Sequence, residues 1–378
     1  MKFAFCLFKY FPSGGLQRGF LQLANVCMAR GHQVDVYTGS WAGARPENPQ
    51  IFIIPNKGFT NHGRYQSFAK RLNKQTTAKH YDAVVGFNKM PGLDVYFASD
   101  VCFATRALER SFLYRLSPRC RALMLLERSV FDRQAKTEII LISNREKTFY
   151  MDYYGTAEQR FHLVPPGISR DRVAIANAPA IRDDFRREFA VKPDQNIVLM
   201  VGSDYKRKGV DRAIRAISSL PLHLKKKILL MVVGKGKINP YFRLAKRLGV
   251  SSCVHFVGER NDVPRFLVGA DLLLHPAYSE NTGTVLIEAM AAGLPVLATD
   301  NCGYGFHVDQ AGAGKLIPSP FRQETLNHIL VSMLTSEHKD QWKRNGKRYI
   351  KKTDVYSRHE KSADVIEMVA AGQSCPTF

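Results

Sequence analysis

Short, almost wholly apolar runs separated by segments of helical periodicity recur along this chain, and they recur in two sets. The first opens with KFAFCLF at Lys2, continues with Leu16, Phe20, Leu23, Ala24 and Cys27 at helical spacing up to Gly31, and then gives QVDVYT. An apolar run without alternation reads as a strand buried on both faces, and the 3.6-residue period after it as a helix, so this is a βαβ unit. IFII from Ile51, DAVVGF from Asp82, DVYFA from Asp94 and IILI from Ile139 extend the set. The second set restarts with NIVLMVG at Asn196 and runs through ILLMVVG, VHFVG, DLLLHP and PVLAT. Each set predicts an α/β, doubly wound Rossmann-like domain with a mostly parallel sheet and helices on both faces.

A chain of 378 residues has the length for two such domains. The segment from Pro165 to Pro193, with PPG and many charges, suits a linker, and places the domains at 1–168 and 169–355 with a final segment 356–378. The run Phe3 to Phe8 is cut short by Lys9, which makes it a first strand and not a signal peptide, and no stretch approaches the ~18 apolar residues of a membrane span. The expected location is the cytoplasm. Seven scattered cysteines without a C-x-x-C pair argue against a disulfide framework and against a zinc site. The formal charge of +22 calls for an anionic partner: nucleic acid, a membrane surface or a phosphorylated substrate.

The stretch from His275 to Asp300, HPAYSENTGTVLIEAMAAGLPVLATD, carries the clearest chemistry. A strand leads into a loop, then into a helix beginning near Gly283 and stopped by Gly293 and Pro295. Asn281, Thr282, Gly283 and Thr284 form the loop-to-helix step, where unpaired N–H groups and the positive helix end suit a diphosphate. Glu280 and Glu288 flank that step. Their separation suits two hydroxyl-bearing groups of one extended ligand better than a close acid/base dyad; by spacing alone, two solvated carboxylates are an equal reading.

Other loops offer cations and glycines at strand ends. GSDYKRKGVDRAI places Lys206, Arg207 and Lys208 just before a helix starting near Val210, where Arg can bind a pyrophosphate bidentately and Lys as a point charge. In KYFPSGGLQRG, Gly14 and Gly15 let backbone approach a ligand closely, although G-G-x-x-x-G is not the dinucleotide fingerprint and a tight turn alone explains the pair. Arg172 is a further cation near the linker, and Asp100 follows the strand DVYFAS, where a helix cap or a solvated carboxylate is the plainer role.

Between Thr105 and Lys136 eight cations face three acids, with apolar residues at helical spacing on either side of Pro118. Two short basic amphipathic helices, with Arg106, Arg110, Phe112, Arg115, Arg119 and Arg121 as contacts and Tyr114 and Phe131 as aromatic anchors, suit an anionic membrane surface. Ordinary surface helices are the alternative. The chain shows no zinc, helix-turn-helix or RNA-binding signature, which argues against nucleic acid.

The glutamate, seven residues and second glutamate, set between these strands, resemble glycosyltransferase family 4. That resemblance implies the GT-B architecture, two facing Rossmann-like domains with a nucleotide-sugar cleft, and a last helix, here Tyr356 to Ala371, returning to the first domain. KYFPSGGLQRG, GFNKMPGLDVYFASD and GSDYKRKGVDR are further similar to the bacterial lipopolysaccharide core glucosyltransferases through nearly the whole chain. The resemblance implies retaining transfer of glucose from UDP-glucose, without a metal or other cofactor, to the inner-core heptose of lipopolysaccharide in α-1,3 linkage. It also implies peripheral attachment to the cytoplasmic face of the inner membrane.

In residue terms, the resemblance places Glu280 near the donor sugar, Glu288 on the ribose hydroxyls, Arg207 and Lys208 on the diphosphate, and Gly14 and Gly15 facing the donor. Asp100 would orient or deprotonate the acceptor hydroxyl. One position departs: such relatives carry an acidic residue where Gly19 stands, which leaves galactose or an N-acetylhexosamine open beside glucose as the donor sugar. A nucleotide-sugar epimerase and a sugar phosphorylase are the other enzyme classes of this architecture; neither accounts for the basic segment from Arg106 to Arg133.

Overall fold

The apolar runs form parallel strands in two separate sheets, and burial on both faces of those sheets explains why the sequence lacks the alternation of a half-exposed strand. The computed structural model describes residues 1–12, 15–55, 57–170 and 177–373. Two units divide the chain, one of Met1–Pro165 together with the segment from Ser357 onward, the other Pro166–Tyr356.

Unit 1 begins with β1 (Lys2–Leu7), α1 (Gly15–Ala29), β2 (Gln33–Thr38), β3 (Gln50–Ile53), α2 (Asn61–Ala78), β4 (Ala83–Gly86) and β5 (Val95–Ala98). Three helices follow, α3 (Phe103–Leu108), α4 (Phe112–Leu116) and α5 (Pro118–Phe131), then β6 (Glu138–Leu141), α6 (Arg145–Tyr154) and β7 (Phe161–Leu163). The strand order is β3-β2-β1-β4-β5-β6-β7. Order reverses between β1 and β4, so the crevice at their carboxyl ends is the switch point where ligands of doubly wound sheets sit.

Unit 2 opens with α7 (Ala178–Glu188), β8 (Asn196–Val201), α8 (Val210–Ser218), α9 (Leu222–Lys225), β9 (Ile228–Val233) and α10 (Asn239–Arg247). It continues with β10 (Val254–Gly258), α11 (Val263–Gly269), β11 (Leu272–His275), α12 (Thr284–Ala292), β12 (Val296–Thr299), α13 (Gly305–Ala311) and β13 (Gly314–Ile317). Helices α14 (Gln323–Thr335) and α15 (Lys339–Lys352) close it. Its order, β10-β9-β8-β11-β12-β13, reverses between β8 and β11. The loops after those two strands hold Arg207, Lys208 and Glu280.

The last helix, α16 (Arg358–Ala370), belongs to unit 1 and packs on α1, burying Ala363 and Ile366 against Phe3, Phe5 and Phe20. On the other face of that sheet Phe68, Tyr96, Phe131 and Tyr150 form a second core layer. Two features differ from the sequence reading. The basic segment folds as three helices, because Ser111 and Ser117 each cap a new one, accepting from the amides of Tyr114 at 3.4 Å and Cys120 at 3.2 Å. Phe131 is not an interfacial anchor: it is fully buried and stacked on Tyr150 with ring centroids 3.6 Å apart.

Candidate active site

At the switch point of unit 2 three polar side chains converge on one carboxylate. Glu280 accepts from Arg207 Nη1 at 2.9 Å and from Lys208 Nζ, and His275 Nε2 stands 3.6 Å from it, just beyond hydrogen-bond reach. The chain path makes this meeting possible. Gly209 adopts φ 74°, and a side chain there would collide with the Pro276 carbonyl, so only glycine lets the cationic loop lie directly against the strand end of β11. The Tyr278 amide then donates to the Arg207 carbonyl at 2.8 Å. From the far side, Gly303 N donates to Glu280 O at 3.2 Å and Tyr304 N to Thr282 O at 2.7 Å, which ties the Glu280–Thr282 loop to the turn after β12.

Burial pushes the Glu280 carboxyl up, but the charges of Lys208 and Arg207 outweigh it and hold the group well below the usual carboxylate range. His275 is pushed down, first by burial and then by Lys208, which leaves a neutral imidazole beside an ionised carboxylate. Beneath the loop Arg212 is 9% exposed, sandwiched 3.6 Å from the Tyr278 ring and 3.5 Å from the Phe321 ring, and donates to the Pro276 and Ala277 carbonyls at 3.2 and 3.1 Å. Arg212 was not among the sequence candidates. Its cation serves the loop backbone.

Helix α12 starts at Thr284 after Gly283, whose φ of 81° turns the chain into the helix without a side-chain cap. Asn281, Thr282 and Thr284 are half-buried at this entry. Glu288, one turn further, is buried at 5% exposure. Neither glutamate is a solvated helix face. Among the described residues no group of three or more His, Cys, Asp or Glu side chains has the arrangement of a metal site.

In unit 1 the two loops at the switch point are joined by Phe8 N donating to Asn88 Oδ1 at 2.8 Å. Gly15 is exposed at the start of α1 with open space around it; Gly14 and Arg172 lie outside the described residues. Asp100 is exposed past the end of β5, and its carbonyl accepts from Tyr150 Oη at 3.2 Å. It does not cap α3. That task falls to two carboxylates from elsewhere: Glu127 accepts from the amides of Phe103 and Ala104, both at 2.8 Å, and Glu146 accepts from Cys102 N at 2.6 Å. Glu127 also takes Tyr154 Oη at 3.0 Å and Lys89 Nζ, and the same ammonium donates to Val101 O at 3.0 Å. Lys89, inside the distinctive GFNKMPG string, thus joins the strand-end loop of β4 to the segment that bears Asp100.

On α3 to α5, Arg106, Arg110, Arg115, Arg119 and Arg121 are exposed, as are Leu108, Phe112, Leu113, Leu116 and Leu125. Phe112 and Leu113 stand 64% and 79% exposed, large values for apolar side chains of this size. Leu126 and Val130 face the core. No helix among the described residues is long and apolar enough to cross a membrane.

Comparison with known proteins settles the family. The chain is 46% identical over 365 residues to the lipopolysaccharide glucosyltransferase WaaG of Escherichia coli, covering 96% of this chain and 98% of that one. It is a family 4 glycosyltransferase of the WaaG type. Glycosyltransferase Family 4 matches residues 13–172 and Glycosyl transferases group 1 matches residues 181–349. The crystal structure of WaaG, a glycosyltransferase involved in lipopolysaccharide biosynthesis, superposes with a TM-score of 0.89 at 46% identity, over 96% of this chain and 99% of that chain. A structure of Anabaena Alr3699/HepE in complex with UDP and glucose superposes at 0.74 with 19% identity, over 97% and 99% of the two chains, and shows the shared fold. This family 4 enzyme is therefore a hexosyltransferase of lipopolysaccharide synthesis with the GT-B fold.

Proposed function

We propose that this enzyme transfers glucose from UDP-glucose to the inner-core heptose of lipopolysaccharide, forming an α-1,3 linkage with retention and without a metal. The observation that carries the reading is the convergence of Arg207 and Lys208 at the unit 2 switch point beside the uncapped start of α12. Two cations and a helix start without a side-chain cap suit the two phosphates of a nucleoside diphosphate. Arg207 and Lys208 neutralise the charge that builds on the leaving UDP, which is the task a metal performs elsewhere. The bond from the sugar's anomeric carbon to the diphosphate oxygen breaks, the acceptor oxygen bonds to that carbon, and the acceptor's proton passes to the leaving diphosphate. Glu280 holds the donor sugar, Glu288 the ribose, and Asp100 orients the acceptor hydroxyl in unit 1.

The exposed apolar and basic side chains of α3 to α5 support a second part of the reading. Phe112, Leu113 and Leu116 enter the headgroup boundary of an anionic inner leaflet while Arg115, Arg119 and Arg121 meet lipid phosphates. This holds the enzyme peripherally on the cytoplasmic face, where its lipid-borne acceptor lies.

The deciding experiment incubates the protein with a panel of UDP-sugars and truncated lipopolysaccharide cores and reads product mass and linkage, with a chelator present throughout. An α-1,3-linked glucose on heptose is the expected product. A product from UDP-galactose or a UDP-N-acetylhexosamine alone overturns the donor assignment, which Gly19 makes the part most worth testing.

A further inference from the structure

Helices α1 and α16 lie side by side and run in the same direction: Gly19 meets His359 near their starts, while Arg30 and His32 meet Glu367 near their ends, at 3.1 and 2.8 Å. Helix α1 follows β1 directly, so both starts lie at the carboxyl edge of the unit 1 sheet, beside its switch point. A niche opens there. Apart from its chain neighbours and the backbone of its own helix, a Cβ placed at Gly19 would meet one heavy atom within 4 Å among the described residues, the Nε2 of His359 at 3.7 Å. Close packing therefore does not require glycine here, and a glycine inside a helix weakens it relative to alanine.

His359 is 9% exposed, and its Nε2 has no hydrogen-bond partner among the described residues. A buried imidazole nitrogen left unpaired is destabilising, and buried polar atoms in folded proteins are paired as a rule. Two features that each weaken the fold thus face one another at the edge where this sheet type binds ligands. Such local conflicts with stability mark sites kept for function. We propose that the niche between Gly19 and His359 is a hydroxyl-binding subsite for a sugar of the substrate, with His359 Nε2 deciding which sugar fits.

Burial, followed by the charge of Arg358, pushes the His359 imidazole down to about 4, so the ring is neutral at physiological pH. A neutral imidazole exchanges a hydrogen bond with a hydroxyl in either direction but offers no charge to a carboxylate or phosphate. A sugar hydroxyl, of the hexose being transferred or of the acceptor, matches such a ring at this edge of the sheet because it too can both donate and accept. The inference rests on the transferase reading and gives that reading a specificity residue.

The test compares wild type, His359→Leu and His359→Gln with whichever UDP-sugar and core acceptor the wild type uses. Leu keeps the bulk and removes the nitrogen, whereas Gln restores a polar nitrogen near the Nε2 position. His359→Leu should raise KM about tenfold for one substrate only, and His359→Gln should recover most of that loss. A rise for the UDP-sugar assigns the hydroxyl to the donor; a rise for the core assigns it to the acceptor. The melting temperature of unliganded His359→Leu should equal or exceed the wild type, since an orphaned nitrogen has been removed. Unchanged KM values for both substrates overturn the proposal. So does a lowered melting temperature, which makes the imidazole a packing residue and needs no turnover to read. A wild type that uses a sugar other than glucose overturns the donor assignment above and leaves this comparison intact.

Discussion

Glu280 and Glu127 are both carboxylates withdrawn from solvent, with side chains 10% and 0% exposed, yet they are satisfied in opposite ways. Glu280 is held by the side chains of Arg207 and Lys208. Glu127 is held mainly by groups the chain path fixes, the amides of Phe103 and Ala104, with Tyr154 and Lys89 closing the shell. A cation on a long side chain can swing from an internal carboxylate to an incoming diphosphate. A backbone amide cannot leave without unravelling its helix. The first arrangement is therefore exchangeable and suits binding; the second is locked and holds the start of α3, and with it the Asp100 segment, in place.

The largest effect should come from the exchangeable site. Glu280→Ala and Lys208→Ala should each lower transfer by about 10²- to 10³-fold, the scale of losing a charge-stabilising group at a reacting centre. Their melting temperatures should fall less than that of Glu127→Ala. Near-normal transfer by both variants in the UDP-sugar assay removes the site. Glu127→Ala should behave in the reverse manner, destabilising unit 1 by about 3 kcal/mol, because it leaves the Lys89 ammonium without its counter-charge and the amides of Phe103 and Ala104 without their acceptor. Urea denaturation followed by circular dichroism reads that loss. If the double variant Lys89→Met/Glu127→Gln is no more stable than Glu127→Ala, the locked half of the comparison fails.

Much of this contrast was legible in sequence on one side and hidden on the other. Strands β1, β8 and β9 announced themselves because both sheet faces are covered, and the switch-point rule then places Arg207 and Lys208 beside Glu280 without any contact being visible. Glu127 gave no such sign. In the sequence it is one of three acids among eight cations, and only its spacing with Val130 and Phe131, i+3 and i+4 on one helix face, places it inward with them. Taking that stripe as lipid-facing is what misplaced Phe131. The strands β7 and β13 span three and four residues, too short for a period to show. Ser111 and Ser117 were readable as caps, and Pro118 at the first turn of α5 reinforced the second.

A smaller effect should separate the locked carboxylate from the surface it supports. Replacing Arg115, Arg119 and Arg121 together by glutamine should weaken binding to vesicles containing anionic lipid by about 1 kcal/mol per residue, with the melting temperature unchanged. Cosedimentation reads it, and raising the salt should shrink the difference. Vesicle binding equal to the wild type removes the membrane role and leaves α3 to α5 as ordinary surface helices.

The smallest expected effect is on acid stability, and it divides by pH window. Burial pushes His307 and His359 down to about 4, and His275 is pushed down by burial and by Lys208. Below about 6.5 the unfolded chain takes up protons that these buried rings refuse, so stability is lost as pH falls from about 6.5 toward 4. Glu280 acts lower. Its depressed folded value gives stability that is fully present above its ordinary 4.5 and is lost as pH falls below it. Melting temperature measured against pH should therefore flatten between about 6.5 and 4 in His359→Leu and only below about 4.5 in Glu280→Gln. A Glu280→Gln curve parallel to the wild type below that point means the carboxylate is not held by its cations in solution, and the exchange that distinguishes it from Glu127 has no anchor.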